Sequence, residues 1–305
     1  LIREIIYIKL TNKLSEYSRM KKRLTKGVDG LEKIVFFDVD GTLLAKNGKI
    51  PTSTQQAIAK LKEEGGLPVI ATGRSPLLLE GVAQALDIDS YIAMNGQYIV
   101  LEGELFYHNP IAFDLLDRFT QYAKEAGDGY VLCGSDEIYT GTSMDKESKR
   151  YRFLKYLASI VPQSLQLAFM KRAMKKYPDP SAYQNKPVYQ AILQAPASSE
   201  VNYIENFPGL RFTRSNPIMF DVIKNGTSKA TGIRRIADHY QVDLGQTYAF
   251  GDHLNDIEML QVVGHGVAMG NALEEVKSIS DQVTLAVDQG GIYHGLLDLG
   301  IIDPL

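Results

Sequence analysis

The stretch Ile34-Val35-Phe36-Phe37-Asp38-Val39-Asp40-Gly41-Thr42 constrains this chain more than any other. Four apolar residues of β-branched and aromatic type predict a strand buried on both faces, as in a parallel sheet. Such a strand delivers its last residues to the carboxyl edge of the sheet, where open α/β folds bind ligands. Asp38 and Asp40 lie two apart and share a face if the strand stays regular. Gly41 breaks the strand and lets the backbone approach a ligand. The chemical reading is a carboxylate nucleophile at Asp38 and a proton donor and acceptor at Asp40. The competing reading is a strand that ends in a polar turn, because Asp-Gly is a common turn pair.

The same motif of strand followed by polar residues recurs downstream. Pro51-Thr52-Ser53-Thr54 opens a helix with Ala57, Ile58 and Leu61 on one face, and Leu67–Ala71 is a second strand ending in Thr72-Gly73-Arg74. Ser75-Pro76 starts another helix, with Ser as N-cap and Pro at the first position. Tyr91–Met94 is a third strand, followed by Asn95-Gly96. Strand, helix, strand, helix, strand predicts a doubly wound parallel sheet in an α/β fold. After Pro110 the rhythm changes to helix Phe113–Ala126, paired strands at Tyr130–Cys133 and Glu137–Thr140, a helix at Lys149–Ile160, a polar loop or short helix over Lys171–Asn185, a strand at Val188–Leu193, a helix at Ser199–Asn206 and a strand at Leu210–Arg214. Strands joined by turns, with helices between pairs, predict an inserted α+β domain. Phe220–Ile223 is expected to return to the first domain. Ser228 caps a helix through Tyr240, Tyr248–Phe250 is a strand ending in Gly251-Asp252-His253-Leu254-Asn255-Asp256, and Asn271 with Glu274 reads as a capping box. The division expected is 1–32 as a leader outside the catalytic unit, 33–111 with 215–305 as the core, and 112–214 as the insertion. Met20 offers a natural start for the chain.

Composition excludes several classes of function. With 305 residues, 45% hydrophobic and 23% charged, the chain can build a sizeable core, and its net charge of −3 comes with no basic stripe for nucleic acid. No apolar run reaches the length of a membrane span. One cysteine, Cys133, cannot form an internal disulfide, which fits a cytoplasmic protein, and its apolar surroundings place it in the core.

The polar strand ends need a common explanation: Asp38 with Asp40, Thr72 with Gly73, Lys229, and Asp252 with Asn255 and Asp256. Acidic side chains gathered at one sheet edge repel one another, and a hard divalent cation relieves that repulsion. Mg2+ prefers carboxylates, waters and substrate phosphate, and no His or Cys set has zinc spacing. A phosphoryl group needs cations, backbone N–H groups and hydroxyls around it. Lys229, the Thr72 hydroxyl and the amides near Val39 and Gly73 supply these. Arg74 either reaches substrate or pairs with an acidic neighbour, and Asn95 either contacts substrate or stabilises a turn.

Asp-Val-Asp-Gly-Thr, Ala-Thr-Gly-Arg, a Lys after a Gly-containing turn and Gly-Asp-x-x-Asn-Asp, in that order, resemble the haloacid dehalogenase superfamily of phosphatases. The insertion looks like a class IIB cap, and Met94-Asn95-Gly96 with the closing Gly-Gly-Ile-Tyr-His-Gly-Leu is similar to the Cof-type subfamily. The resemblance implies that Asp38 forms an aspartyl-phosphate and binds Mg2+, and that Asp40 serves as general acid and base with its backbone carbonyl on the metal. It implies Thr72 and Lys229 on the phosphoryl oxygens, Asp252 on the metal, Asn255 on phosphate, and Asp256 holding the metal's waters or Lys229. The chain departs at Lys229-Ala230, where these relatives usually have Lys-Gly, and Lys224 competes for the lysine's role. His253 is not needed as a base in an aspartate mechanism. The expected activity is hydrolysis of small phosphate esters such as sugar phosphates. The alternatives are a phosphomutase or other phosphotransferase, and a silent phosphate-binding regulator.

Overall fold

The computed structural model describes residues 33–140, 181, 183–216 and 219–305. The leader, the helix expected at Lys149–Ile160 and most of the Lys171–Asn185 segment lie outside these residues. Strands β1 (Ile34–Phe37), β2 (Leu67–Ala71) and β3 (Tyr91–Ala93) are joined by helices α1 (Thr52–Glu63) and α2 (Pro76–Leu86). A hairpin follows, β4 (Tyr98–Leu101) and β5 (Glu104–His108). Then come α3 (Phe113–Glu125), β6 (Gly129–Cys133), β7 (Ile138–Thr140), β8 (Gln190–Gln194), α4 (Glu200–Asn206), β9 (Leu210–Asn216) and β10 (Met219–Lys224). The chain closes with α5 (Lys229–Tyr240), β11 (Thr247–Gly251), α6 (Ile257–Val262), β12 (His265–Ala268), α7 (Glu274–Ile279), β13 (Gln282–Val283) and α8 (Gly291–Asp298).

Two sheets result. The larger, in the order β13-β12-β11-β1-β2-β3-β4-β5, runs parallel from β13 to β3 and antiparallel through the hairpin. The chain winds outward from β1 in both directions, so the topological switch point lies between β1 and β11, where open sheets bind ligands. Ile34, Val35, Phe36 and Phe37 are each fully buried, which is why β1 has no polar face in its sequence. Phe37 stacks on Phe250 of β11, and the register continues with the N–H of Asp38 donating to the Phe250 carbonyl at 3.0 Å. The carboxylates that follow both strands therefore emerge side by side.

The smaller sheet, in the order β7-β6-β8-β10-β9, is antiparallel throughout. Its core is aromatic, with Phe119 packed among Tyr203, Phe207 and Phe212. Here one expectation fails. Phe220–Ile223 does not return to the first sheet, because β10 pairs with β8 and β9 in the second. Strand pairing decided by a partner 25 to 33 residues earlier, from Met219 opposite Gln194 to Ile223 opposite Gln190, leaves no local trace in the sequence. The sheets meet through Met94, Val131, Cys133, Ile138, Tyr189 and Met219, an apolar seam that also explains the burial of Cys133. No helix among the described residues is long and apolar enough to cross a membrane.

Candidate active site

The ends of β1, β2 and β11 and the start of α5 converge at the switch point. Ser228 caps α5 as expected: its hydroxyl accepts from the Thr231 N–H at 3.4 Å, while the Thr231 hydroxyl accepts from the Ser228 N–H at 3.0 Å. That cap fixes Lys229 as the first helical residue, with its side chain fully buried. Its Nζ donates to Asp38 Oδ1 at 2.5 Å and to Asp256 Oδ1 at 2.6 Å. Lys224 instead donates to Asn109 Oδ1 at 2.8 Å, away from Asp38, so the geometry gives the site Lys229.

Asp38, Asp252 and Asp256 each offer an oxygen within 4.8 Å of the others. Their remaining bonds separate their roles. Asp256 spends Oδ1 on Lys229, and its Oδ2 accepts from the N–H groups of Asp252 at 2.9 Å and His253 at 3.0 Å. Asp252 gives Oδ1 to the Thr42 hydroxyl at 2.9 Å and points Oδ2 toward Gly41. Gly41 has φ +90°, and a Cβ there would lie 2.2 Å from that oxygen, so only glycine fits. Asp38 and Asp252 thus keep an oxygen each for a hard cation, while Asp256 is already committed to holding Lys229 and the loop. Hard carboxylate oxygens are the donor set Mg2+ prefers.

Burial and the neighbouring Asp256 push the Asp38 carboxyl well above the usual range, opposed by Lys229. Burial and Asp256 likewise push Asp252 up to about 7, with the Thr42 hydrogen bond pulling the other way. Burial disfavours the charge on Lys229, yet Asp256 and Asp38 together outweigh it and hold the lysine above its ordinary value. The cluster carries more negative charge than one ammonium offsets, and its three carboxylates could hold a metal ion.

Asp40 is exposed, and its carboxylate is gripped by Arg74 with Nε at 2.8 Å from Oδ2 and Nη2 at 2.5 Å from Oδ1. Arg74 is buried, so it is the fixed partner and Asp40 the one held. Of the two readings of Arg74, the structure brings the acidic pair together. The Thr72 hydroxyl accepts from the Arg74 N–H at 3.1 Å, which leaves its own proton to donate outward. Thr72, Gly73, Arg74, His253 and Asn255 line a cavity of about 300 Å³ with Asp38 and Asp40. Val39 is buried beneath the loop it anchors. Burial pushes the Cys133 thiol up to about 12, so Cys133 lines the cavity as a thiol.

Several residues of the site carried no readable signal. Gln190, Ile192, Thr213, Arg214, Met219 and Asp221 close the cavity from the second sheet. Asn271, expected to cap α7, instead donates to the Gly41 carbonyl at 2.9 Å and accepts from the Val287 N–H at 2.8 Å, bracing the Asp40-Gly41 turn; Leu273 occupies the cap position. Ser75, a residue of the cavity lining, caps α2 by position only, since its buried hydroxyl bonds no described group. Met94 (φ 49°) and Asn95 (φ 53°) are both left-handed, a strained turn that aims the Asn95 amide at Asp221.

A family model described as haloacid dehalogenase-like hydrolase matches residues 35–296. YkrA of Bacillus subtilis is 34% identical over 272 residues, covering 88% of this chain and 98% of its own. The solved structure of BT1666 from Bacteroides thetaiotaomicron, described as a phosphatase of the haloalkanoate superfamily, is 30% identical with a TM-score of 0.77, covering 90% and 97% of the two chains. The subclass IIB sugar phosphatase BT4131 is 28% identical with a TM-score of 0.72, covering 88% and 100%.

Proposed function

The chain belongs to the haloacid dehalogenase-like hydrolases, and from that premise we propose that it is a Mg2+-dependent phosphatase of small phosphate esters, working through an aspartyl-phosphate on Asp38. The observation that carries this reading is the fixed contact of a fully buried Lys229 with Asp38 beside a half-open carboxylate cluster. Asp38 and Asp252, with the backbone carbonyl of Asp40, would hold Mg2+, which supplies charge neutralisation at the carboxylates and the phosphoryl oxygens.

In the first step a carboxylate oxygen of Asp38 attacks phosphorus, and the bond from phosphorus to the ester oxygen breaks. Asp40, which Arg74 holds beside the cavity as a carboxylate, takes up a proton from solvent before this step and delivers it to the leaving oxygen. Lys229, the Thr72 hydroxyl and the amides of Val39 and Gly73 take the three equatorial oxygens. In the second step Asp40 accepts a proton from water, the water oxygen attacks phosphorus, and inorganic phosphate leaves with Asp38 restored. The second sheet serves as the cap that covers the 300 Å³ cavity, a volume suited to small metabolites and too small for a folded phosphoprotein.

Phosphate release from a panel of small esters tests the proposal, run with Mg2+ and with chelator, for wild type and Asp38→Asn. Mg2+-dependent release that disappears in Asp38→Asn is the expected result. Isomerised phosphosugar with little free phosphate would move the assignment to a phosphomutase.

A further inference from the structure

The turn that follows β1 carries two groups of the proposed reaction, the Asp40 carboxylate and the Asp40 carbonyl. Asp40 is exposed and Gly41 has no side chain, so hydrogen bonds rather than packing fix the peptide planes between them. One is local: the Gly41 N–H donates to the Leu44 carbonyl at 2.9 Å. The next comes from across the chain, where Asn271 Nδ2 donates to the Gly41 carbonyl at 2.9 Å.

Asn271 lies in the loop between β12 and α7, and that loop is also tied to the Asp252 segment. The Met269 N–H donates to the Gly251 carbonyl at 3.0 Å, and the Leu273 N–H to the Asp252 carbonyl at 3.1 Å. Asn271 is braced from behind, because its Oδ1 accepts from the Val287 N–H at 2.8 Å and Val287 is anchored in the main core at 5% exposure. Gly270 permits that approach: a Cβ there would lie 2.6 Å from the Ala286 nitrogen. The two partners of Asn271 demand an acceptor and a donor on one planar group, which an amide supplies and a carboxylate does not. Asn271 and Leu273, two residues apart, thus hold the Asp40-Gly41 turn and the Asp252 segment at a fixed spacing. Mg2+ demands near-ideal octahedral geometry, so the spacing of groups that would hold it bears directly on affinity.

We propose that Asn271 is a positioning residue for the metal site, acting through Gly41 to keep the Asp40 carbonyl in register with Asp252. The inference rests on the Mg2+-dependent phosphatase reading above. Its test measures Mg2+ binding to the chelator-stripped full chain by calorimetry, without substrate, for wild type, Asn271→Ala and Asn271→Asp. Phosphate release against Mg2+ concentration and thermal unfolding in chelator are recorded beside it. Asn271→Ala is expected to raise the Mg2+ dissociation constant by about tenfold, as loss of a group that orients a ligand does, with kcat recovering toward wild type at saturating Mg2+. Its melting temperature in chelator is expected within a few degrees of wild type, because Asn271 is exposed. Asn271→Asp keeps the bond to Val287 but sets an anionic oxygen against the Gly41 carbonyl. Its added charge alone would tighten Mg2+ binding, whereas lost positioning is expected to weaken it. Dissociation constants within twofold of wild type in both variants, or tighter binding by Asn271→Asp, overturn the positioning role. So does a melting temperature in chelator lowered by more than about 10 °C in both variants, which would assign the amide to the fold. Mg2+-dependent phosphate release by wild type in those cases leaves the phosphatase reading standing. Wild type that neither binds Mg2+ nor releases phosphate overturns both.

Discussion

Replacing Lys229 with Met removes an ammonium that sits 2.5 Å from Asp38 and 2.6 Å from Asp256 with no exposed surface. The unbranched methionine keeps most of the volume, so the change is chiefly electrostatic. Losing one partner of a buried pair costs about 3–5 kcal/mol. The remaining carboxylates can escape by taking up one proton, and the price of that proton caps the penalty. Holding a carboxyl neutral costs about 1.4 kcal/mol per pH unit above its unfolded pKa, close to 3.8 for Asp38. The cap is then about 6 kcal/mol at pH 8 and about 2 kcal/mol at pH 5. Urea unfolding in chelator should therefore show Lys229→Met less stable than wild type by about 3–6 kcal/mol at pH 8 and by about 2 kcal/mol or less at pH 5. Equal losses at the two pH values, or a loss below about 1 kcal/mol at pH 8, would refute the claim that the ammonium neutralises a buried acidic cluster.

Other perturbations follow from the same geometry. Arg74→Lys keeps the charge but not the two parallel bonds to Asp40, and kcat is expected to fall by about tenfold or more, read by steady-state phosphate release. Gly41→Ala forces a Cβ to within 2.2 Å of Asp252 Oδ2 at φ +90°, so the Mg2+ concentration for half-maximal activity should rise while the fold melts within a few degrees of wild type. Asp221, pushed up to about 6 chiefly by burial, binds its proton more tightly folded than unfolded. Its contribution is therefore most favourable below the unfolded value of 3.8 and declines as pH rises to about 6. Relative to wild type, Asp221→Asn should gain up to about 3 kcal/mol between pH 4 and pH 8 in chemical unfolding, and a pH-independent difference would contradict this.

What was legible in the sequence was what short stretches decide. Buried parallel strands appear as apolar runs, and their polar ends mark the ligand edge, so Asp38, Thr72 and Asp252 stood out in order. Ser228 announced α5 and with it the placement of Lys229. What pairing across the chain decides was hidden. β10 looks like any half-apolar strand, and its partner β8 cannot be read from it. The β4–β5 hairpin was missed because its turn puts Glu102 at φ 52° before Gly103, a conformation glutamate seldom takes. Tertiary bonds offset that strain: the Glu102 N–H donates to the Ser90 hydroxyl at 2.9 Å, and Glu102 Oε1 accepts from the Tyr240 hydroxyl at 2.9 Å. Asn271, Gln190 and Asp221 reach the site through such long-range packing, and nothing local to them signals it.

The central claim, that Asp38 carries the phosphoryl group, is tested most directly by trapping. Wild-type enzyme mixed with a turned-over ester and Mg2+, then quenched in acid within the first turnover, is digested and its peptides mapped by mass spectrometry. The account predicts a labile phosphoryl adduct on the peptide containing Asp38, formed at the rate of leaving-group release and absent from Asp38→Asn. Steady phosphate release with no adduct at any quench time, or an adduct mapped to another residue, would contradict it.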